Sequence, residues 1–246
     1  MYKQKLLRQS GKISNMPVSS GLIENIDHFL ASSVHDMKNS VTSLLAGLEK
    51  TLAVTETEKL STYSELMQVN QEAKRIRNQL VQLLIAYKLG QKIYPFDPQE
   101  ICISDFLNEL EAQYRSLIKI HRIAMDIRVD ADLYWYFDED LIGGVIGNAI
   151  NNAARFARNR ISISAEILGN KLVFRIEDDG CGYSDQILQK YGDFMRAVSF
   201  YEGNTGLGLY FATLAARMHR NCRYAGELRL ENGGSLGGAC FIFCLP

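Results

Sequence analysis

The side chains best suited to chemistry stand on one predicted helix in the second half of the chain. Asn148, Asn152 and Arg155 are spaced four and three residues apart, so an α-helix places them on one face. Two amide oxygens and a guanidinium group that point the same way suit a magnesium ion and phosphate oxygens. On its own, however, such a pattern is more often a solvated helix face.

A second cluster, Asp-Asp-Gly-Cys-Gly at residues 178–182, follows a predicted strand over residues 171–177. A carboxylate at a strand end, here that of Asp178, is able to accept a hydrogen bond from an exocyclic amine. Gly180 and Gly182 permit positive φ and let a flat ring approach the backbone. A plain acidic turn is the alternative interpretation of this cluster.

A third cluster is the glycine-rich stretch Gly-Asn-Thr-Gly-Leu-Gly-Leu at residues 203–209, which opens a predicted helix. Free backbone N–H groups at a helix start bind phosphate oxygens, and the candidates here are those of Thr205, Gly206, Leu207 and Gly208. The stretch is not a P-loop, because no Gly-Lys-Ser/Thr follows it.

A histidine and an aspartate, His35 and Asp36, lie at the edge of the apolar face of the first long predicted helix. A neutral imidazole is a competent nucleophile at pH 7, and an adjacent carboxylate is able to orient the ring and take its proton. Asn39, one turn further on, shares the face of His35 and is a candidate for holding a water molecule. A lone histidine on a helix is usually structural. The other three histidines, His219 among them, are predicted to be ordinary surface or packing residues.

In this order and separation, the three downstream clusters resemble the N, G1 and G2 boxes of the Bergerat ATP-binding fold shared by histidine kinases, Hsp90, gyrase and MutL. The His-Asp-x-x-Asn pattern at residues 35–39 resembles the H box of dimerising histidine kinase domains. Phe137 and Asp138, together with the Gly-Gly ending at residues 237–246, also resemble the histidine kinase branch. The chain is thus similar to the two-component sensor histidine kinases, with the ATP-binding resemblance covering about residues 98–246.

The resemblance implies roles for the clustered residues. It implies that Asn152 holds Mg²⁺, that Asn148 and Arg155 assist at the phosphates of ATP, and that Asp178 binds the adenine amine. It implies catalytic roles for His35 and its neighbours, and a short lid that includes residues 193–194.

Two positions depart from the family pattern. Asn204 stands where a glycine usually begins the G2 box, and we expect it to be tolerated because asparagine adopts left-handed backbone more easily than other non-glycine residues. Ser40 stands where a helix-kinking proline is common in the H box.

The spacing of apolar residues predicts the elements that position these side chains. Apolar residues recur in steps of three and four over residues 23–52 and 60–87, which predicts two long helices joined by a turn at residues 55–58 and closed by Gly90. Such an antiparallel helical hairpin buries one stripe per helix, so we expect a homodimer that forms a four-helix bundle. Further helices are predicted over residues 101–118, 140–157 and 207–218, and strands over 123–129, 133–137, 161–167, 171–177, 223–230 and 239–245.

These elements predict an α+β chain with three parts. We expect a flexible segment over residues 1–18, a dimerisation and phosphotransfer hairpin over residues 19–92, and a catalytic ATP-binding domain over residues 98–246, built as an α/β sandwich with antiparallel strands in one layer and helices in the other. The predicted boundary between the hairpin and the ATP-binding domain lies after Gly90, near Pro95 and Pro98.

Composition limits the alternatives. The formal net charge of -1 gives no basic field for nucleic acid or an anionic membrane. The apolar runs fall short of the roughly 20 residues that cross a bilayer, so we expect a cytoplasmic protein with no membrane span. The five cysteines show no Cys-x-x-Cys spacing and are interpreted as small buried hydrophobic residues.

The predicted activity is phosphoryl transfer from MgATP to His35, followed by transfer to an aspartate on the receiver domain of a response regulator. A regulator phosphatase activity is a further expectation. Either a separate sensor protein supplies the signal, or the chain is a fragment of a longer protein. Two alternatives stay open at this point: a non-catalytic histidine phosphotransfer or scaffold protein with a degenerate ATP site, and an ATPase clamp or serine/threonine kinase of the same superfamily.

Overall fold

The computed structural model describes residues 20–57, 63–194, 206–221 and 223–246. Its helices are α1 Ser20–Thr57, α2 Tyr63–Gly90, α3 Ile103–Ile120, α4 Glu139–Phe156, α5 Asp185–Phe194 and α6 Gly206–Met218. Its strands are β1 Gln99–Cys102, β2 Ala124–Val129, β3 Tyr134–Phe137, β4 Arg160–Leu168, β5 Lys171–Asp178, β6 Glu227–Asn232 and β7 Ala239–Leu245. The predicted α+β class is confirmed.

The main sheet has five strands in the order β2-β4-β5-β7-β6. Strands β4, β5, β7 and β6 pair antiparallel, as predicted, but β2 pairs with β4 in parallel, so the prediction of an all-antiparallel layer is wrong. The reason is topological: β3 and α4 carry the chain back across the sheet between β2 and β4, and such a crossover joins parallel strands.

A second, two-stranded sheet lies beside the first. Its strand β1 pairs antiparallel with β3, and Glu100 lies opposite Tyr136. The prediction that a helix begins at Ile101 is therefore wrong by two residues, because residues 99–102 find an extended partner in β3 and the helix starts only at Ile103. Local helical periodicity is outweighed here by a pairing that is distant in sequence.

Helices α3, α4 and α6 pack on one face of the main sheet around a single apolar core. Phe106 of α3, Phe137 of β3 and Phe174 of β5 meet edge to face, with ring centroids 5.3 to 6.2 Å apart. Edge-to-face rings add about 0.5–1.5 kcal/mol per pair to the free energy of burial, so this aromatic cluster helps to hold α3 and β3 against β5 of the main sheet.

The described cysteines differ in burial. Cys240 and Cys244 are buried beside Val173 and Ile242, as predicted for small hydrophobic residues, and burial raises the pKa of the Cys240 thiol to about 11. Cys181 is exposed, so the prediction of burial is wrong there. Its backbone belongs to the acidic turn, and its thiol donates to the carbonyl oxygen of Gly182 at 3.7 Å.

The two long helices α1 and α2 pack along each other. Leu45 and Leu52 are buried between them, and Lys74 Nζ lies 3.1 Å from Glu49 Oε1. Helix α1 has 38 residues and runs to Thr57, into the turn predicted at residues 55–58, because adding one residue to an existing helix costs far less than starting one. Among the helices of the described ranges, none has the length and hydropathy needed to cross a membrane.

Helix α2 ends through a reversed turn centred on Lys92. Ile93 N donates to the carbonyl oxygen of Lys88 at 3.0 Å, and Lys92 N donates to that of Leu89 at 3.1 Å. These two bonds form a Schellman motif, which requires a left-handed residue, and Lys92 has φ 59°. The helix ends at Gly90, as predicted, and the left-handed residue of the motif lies two positions further on.

Replacing Lys92 with glycine relieves the left-handed backbone, and we expect Lys92→Gly to raise the free energy of unfolding by up to about 1 kcal/mol. Lys88→Gly, in the last helical turn, is the matched control and should lower the free energy of unfolding by about 1 kcal/mol. Urea denaturation of the wild type and both variants measures the difference. Destabilisation by both substitutions to the same extent would contradict the assignment of Lys92 to the left-handed position.

Candidate functional site

Helix α4 presents its polar face to a large cleft. The helix starts at Asp138, whose Oδ1 accepts a hydrogen bond from Leu141 N at 3.0 Å, and this cap satisfies one of the free N–H groups at the helix start. Further along, Asn148, Asn152 and Arg155 line a cleft of about 1450 Å³. The structure therefore gives these three side chains the common face that their spacing predicts.

The beginning of α6 closes the same cleft. Leu207 and Gly208 line it, and the helix starts at Gly206, so free backbone N–H groups lie at this end of the helix. A Cβ atom on Gly208 would overlap the side-chain amide of Asn148. Glycine at this position is thus what lets α6 approach α4 so closely. Thr205, Asn204 and Gly203 lie outside the described residues.

Asp178 lies at the end of β5 and is only 5% exposed. Its Oδ1 accepts hydrogen bonds from Gly180 N at 2.8 Å and from Ala239 N at 3.2 Å. Gly182 has φ 78°, and a Cβ atom there would lie 2.7 Å from Asn232 Oδ1, so both backbone and space require glycine. Asp178 is held rigidly, and it is not among the residues that line the cleft.

The neighbouring Asp179, to which the sequence assigned no role, anchors the loop between α4 and β4. Its Oδ1 accepts hydrogen bonds from the backbone N–H groups of Arg158, Asn159 and Arg160 at 2.8, 3.0 and 3.1 Å. Partial removal from water raises the pKa of this carboxyl group, but the three donors outweigh that effect and hold it below its usual value. In the sequence, this role could have been suspected from the run of three acidic residues, 177–179, at the end of a predicted strand.

Tyr114 is a second residue that the sequence did not single out. Its hydroxyl lies against Gly147, where a Cβ atom would collide with it, and it hydrogen-bonds the side chain of Asn151. Burial raises the pKa of this hydroxyl. Tyr114 therefore joins α3 to the cleft-facing side of α4. The role of Tyr114 becomes visible only from the close packing of α3 on α4, which the sequence pattern does not predict.

His35 is on α1, and its side chain is 54% exposed. Asn39 Nδ2 lies 3.3 Å from His35 Nδ1, and Asp36 Oδ1 lies 3.8 Å from the same nitrogen. Both neighbours thus face Nδ1, and Nε2 is the ring nitrogen turned away from them. The Ser40 hydroxyl donates to the carbonyl oxygen of Asp36 at 2.9 Å, and α1 continues through this position as an unbroken helix.

The structure does not bring His35 to the cleft. The wall opposite α4 comes from α2, which contributes Arg75, Asn78 and Gln82, and from α3. Within the part of the chain that the structure describes, α1 contributes no residue to this wall. Residues 193–194, predicted to belong to a lid, form the end of α5.

Comparison with known proteins identifies relatives of both parts of the chain. Residues 137–246 match the family described as histidine kinase-, DNA gyrase B-, and HSP90-like ATPase. The sensor histidine kinase RppB of Synechocystis sp. is 26% identical over 230 residues, which cover 89% of this chain and 48% of RppB. The sensor protein ChvG of Rhizobium meliloti is 28% identical over 244 residues, which cover 91% of this chain and 41% of ChvG. The chain spans less than half the length of these relatives.

Solved structures share the fold. Full-length ShkA in complex with AMPPNP superposes with a TM-score of 0.58 at 17% identity, over 87% of this chain and 45% of ShkA. The histidine kinase AdeS of Acinetobacter baumannii superposes with a TM-score of 0.55 at 15% identity, over 86% of this chain and 96% of AdeS. These structures show the shared fold. The resemblance to sensor histidine kinases that the sequence predicts is confirmed by the family model together with RppB and ChvG.

The three backbone donors make Asp179 a stabilising residue, and we expect Asp179→Asn to lower the free energy of unfolding by about 1–2 kcal/mol at pH 7. Because the folded-state pKa of Asp179 is depressed, its contribution is present above the pKa of the unfolded chain and is lost as the pH falls through the folded value. The difference in the free energy of unfolding between wild type and variant should therefore be smaller in acid than at pH 7. Urea denaturation at pH 7 and at acid pH would measure this change.

Asp126→Asn is the matched control, because Asp126 is an exposed carboxylate whose contact is with Arg128 at 2.6 Å. It should change the free energy of unfolding by less than about 1 kcal/mol. A pH-independent loss in Asp179→Asn would show that the charge of the carboxylate is irrelevant to the loop.

Proposed function

We propose that this chain, whose residues 137–246 match the histidine kinase-, DNA gyrase B-, and HSP90-like ATPase family and which resembles sensor histidine kinases over most of its length, transfers the γ-phosphoryl group of MgATP to His35. The observation that carries the proposal is the convergence of Asn148, Asn152 and Arg155 with the start of α6 in one cleft. A guanidinium group, two amides and free helix N–H groups together form a site for a polyphosphate and its cation.

The residues present fit MgATP. The side-chain oxygen of Asn152 would hold Mg²⁺, which keeps most of its ligands from water and phosphate and so needs few protein atoms. Asn148, Arg155 and the backbone at residues 205–208 would contact the phosphates. When bound, the cation supplies charge neutralisation at the phosphate oxygens.

Asp178 would recognise the base. Its Oδ1 already accepts two backbone N–H groups, which fixes the carboxylate and leaves Oδ2 to accept a hydrogen bond from the 6-amino group of adenine. Gly180 and Gly182 keep side chains away from the approach to this carboxylate. A fixed acceptor discriminates well against a base that lacks the matching donor, because the buried acceptor would then be left unpaired.

The chemistry at His35 follows from its two neighbours. Nε2, which faces away from Asp36 and Asn39, forms the bond to the γ-phosphorus as the bond from that phosphorus to the leaving oxygen of ADP breaks. The ring then carries a positive charge, and its Nδ1 proton passes to the Asp36 carboxylate, 3.8 Å away in the unphosphorylated protein. The product is a phosphoramidate on a neutral ring.

We propose that a second transfer passes the phosphoryl group to an aspartate of a response regulator receiver domain. We also propose that the same surface dephosphorylates the regulator, with Asn39 orienting the attacking water through its amide. His35 and Asn39 are one helical turn apart and both exposed, so a receiver domain that reaches one also reaches the other.

The proposed active form is a homodimer in which α1 and α2 of two chains form a four-helix bundle. Exposed apolar side chains support it, because they recur every seven residues along each helix, as bundle-forming helices require. These side chains are Met37 and Leu44 on α1 and Val69, Ile76 and Leu83 on α2. Leu44 is 64% exposed in the single chain, and a partner would remove it from water.

The test of the transfer is labelling with MgATP. We expect purified protein to become labelled on His35, and the label to be labile in acid and stable in alkali, as a phosphoramidate is. His35→Gln and Asn152→Ala should both be unlabelled, the second because it removes the proposed ligand of Mg²⁺. An acid-stable label, or a labelled His35→Gln variant, would refute the assignment, and a wild type that does not bind MgATP would favour a scaffold protein instead.

Substitutions of Asp36 and Asn39 should affect autophosphorylation and regulator dephosphorylation differently. Asp36→Asn should slow autophosphorylation by about 10²–10⁴-fold, the usual contribution of a general base. Asn39→Ala should autophosphorylate nearly normally but lose phosphatase activity, measured as decay of the phosphorylated regulator with ADP present. Parallel loss of both activities in Asn39→Ala would mean that Asn39 only shapes the helix.

A further inference from the structure

The segment between α2 and β1, residues 91–98, is fastened to the ATP-binding segment over most of its length. Tyr94 and Phe96 pack against the apolar core beneath α4 and α6, and so do Ile85 and Leu89 at the end of α2. Residues 91–93 differ, since Gln91 and Lys92 are exposed and the Ile93 side chain is 62% exposed. The connection therefore has a short exposed part and a longer packed part.

Asp138 binds the packed part of the connection to the start of α4. Besides capping the helix, its Oδ1 accepts a hydrogen bond from the Tyr94 hydroxyl at 3.1 Å, and its Oδ2 accepts one from Asp97 N at 3.1 Å. Burial and the nearby carboxylate raise the pKa of the Tyr94 hydroxyl, which keeps it a donor. Both oxygens of a carboxylate that is only 4% exposed are thus used to join two segments 41 residues or more apart in sequence.

His219, just past the end of α6, completes this arrangement. Its Nε2 accepts a hydrogen bond from Asp138 N at 3.0 Å, so Nδ1 carries the proton and donates to the Ala215 carbonyl oxygen at 2.7 Å. The Phe96 ring meets the imidazole edge to face at 5.0 Å. Burial lowers the pKa of His219, which agrees with the neutral ring that these bonds require.

We propose that these five residues, Tyr94, Phe96, Asp97, Asp138 and His219, form a clasp whose members are positioning residues for phosphoryl transfer. The clasp joins the connection to the two helices that line the nucleotide site, and it confines the hinge between the helical pair and the ATP-binding segment to residues 91–93. This inference rests on the proposed function for its role in transfer, but the clasp itself is tested without that function.

The geometry explains why the position of the hinge matters. His35 lies outside the cleft in the described arrangement, so the phosphate-binding helices must turn as a body before a phosphoryl group reaches an imidazole. A flexible hinge of three residues restricts the orientations that the ATP-binding segment can adopt relative to the helical pair. A flexible connection of eight residues would allow a much wider range of orientations. Effective concentration falls as a tether lengthens, so loss of the clasp lowers the rate of transfer without altering the nucleotide site.

Tyr94→Phe removes the hydroxyl donor and keeps the packed ring. The readout is trypsin cleavage after Lys92, because the residues on the far side of that bond must leave the clasp to enter a protease. A hydrogen bond to a charged acceptor is worth about tenfold or more in the opening equilibrium, so cleavage after Lys92 should accelerate by about tenfold. Tyr136→Phe is the matched control, since Tyr136 is exposed on β3 and is not one of the five clasp residues. Cleavage of this variant after Lys92 should be as slow as in wild type.

His219→Phe provides a second variant, which keeps a ring beside Phe96 but removes the acceptor for Asp138 N. Its cleavage after Lys92 should also accelerate. Cleavage at the wild-type rate in both variants, or an equal acceleration at sites throughout the chain, would overturn the clasp. These outcomes do not depend on kinase activity, so they stand apart from any failure of His35 labelling.

The positioning role has its own measurement in the full chain. At saturating MgATP, the rate of His35 labelling in Tyr94→Phe should fall severalfold, while the ATP concentration for half-maximal rate stays that of wild type. A merely structural role would change both quantities or neither. A maximal rate equal to that of wild type, alongside faster cleavage after Lys92, would overturn the positioning role.

Discussion

The buried carboxylate of Asp138 is the interaction on which the arrangement of the two halves depends. A carboxylate removed from water is costly unless donors replace the water, and here they come from the start of α4, from Tyr94 and from the backbone of Asp97. The start of α4 and the chain that arrives from the helical pair are therefore held by one group. Neither could shift alone without leaving an oxygen of Asp138 unpaired.

Carboxylates that accept backbone N–H groups also organise the loops at the end of β5. Three successive acids at the end of β5 each hold a different loop. Glu177 accepts from Ser235, Asp178 from Gly180 and Ala239, and Asp179 from the loop at residues 158–160. These loops are fixed relative to one strand, which would preorganise the proposed nucleotide site.

The helical pair obeys a different constraint. Its inner stripe is buried between α1 and α2, but a second stripe with heptad spacing stays exposed in the single chain. His35 lies on the same helix as that stripe and outside the cleft, so the proposed nucleophile is apart from the α4 face that carries Asn148, Asn152 and Arg155. Phosphoryl transfer under the proposed function thus depends on how the connection guides one body to the other, rather than on a site already assembled.

Local patterns determined much of this protein from the sequence alone. The spacing of Asn148, Asn152 and Arg155 was sufficient to predict their common face, because the helical period is a property of the backbone. The positions of most helices and strands followed for the same reason. The tertiary structure decided what depends on distant partners: the parallel pairing of β2, the strand at residues 99–102, and the burial of His219, which its polar neighbour Arg220 concealed. It alone revealed that Tyr94 and Asp138 meet, since a hydrogen bond between residues 44 positions apart leaves no periodic trace in the chain.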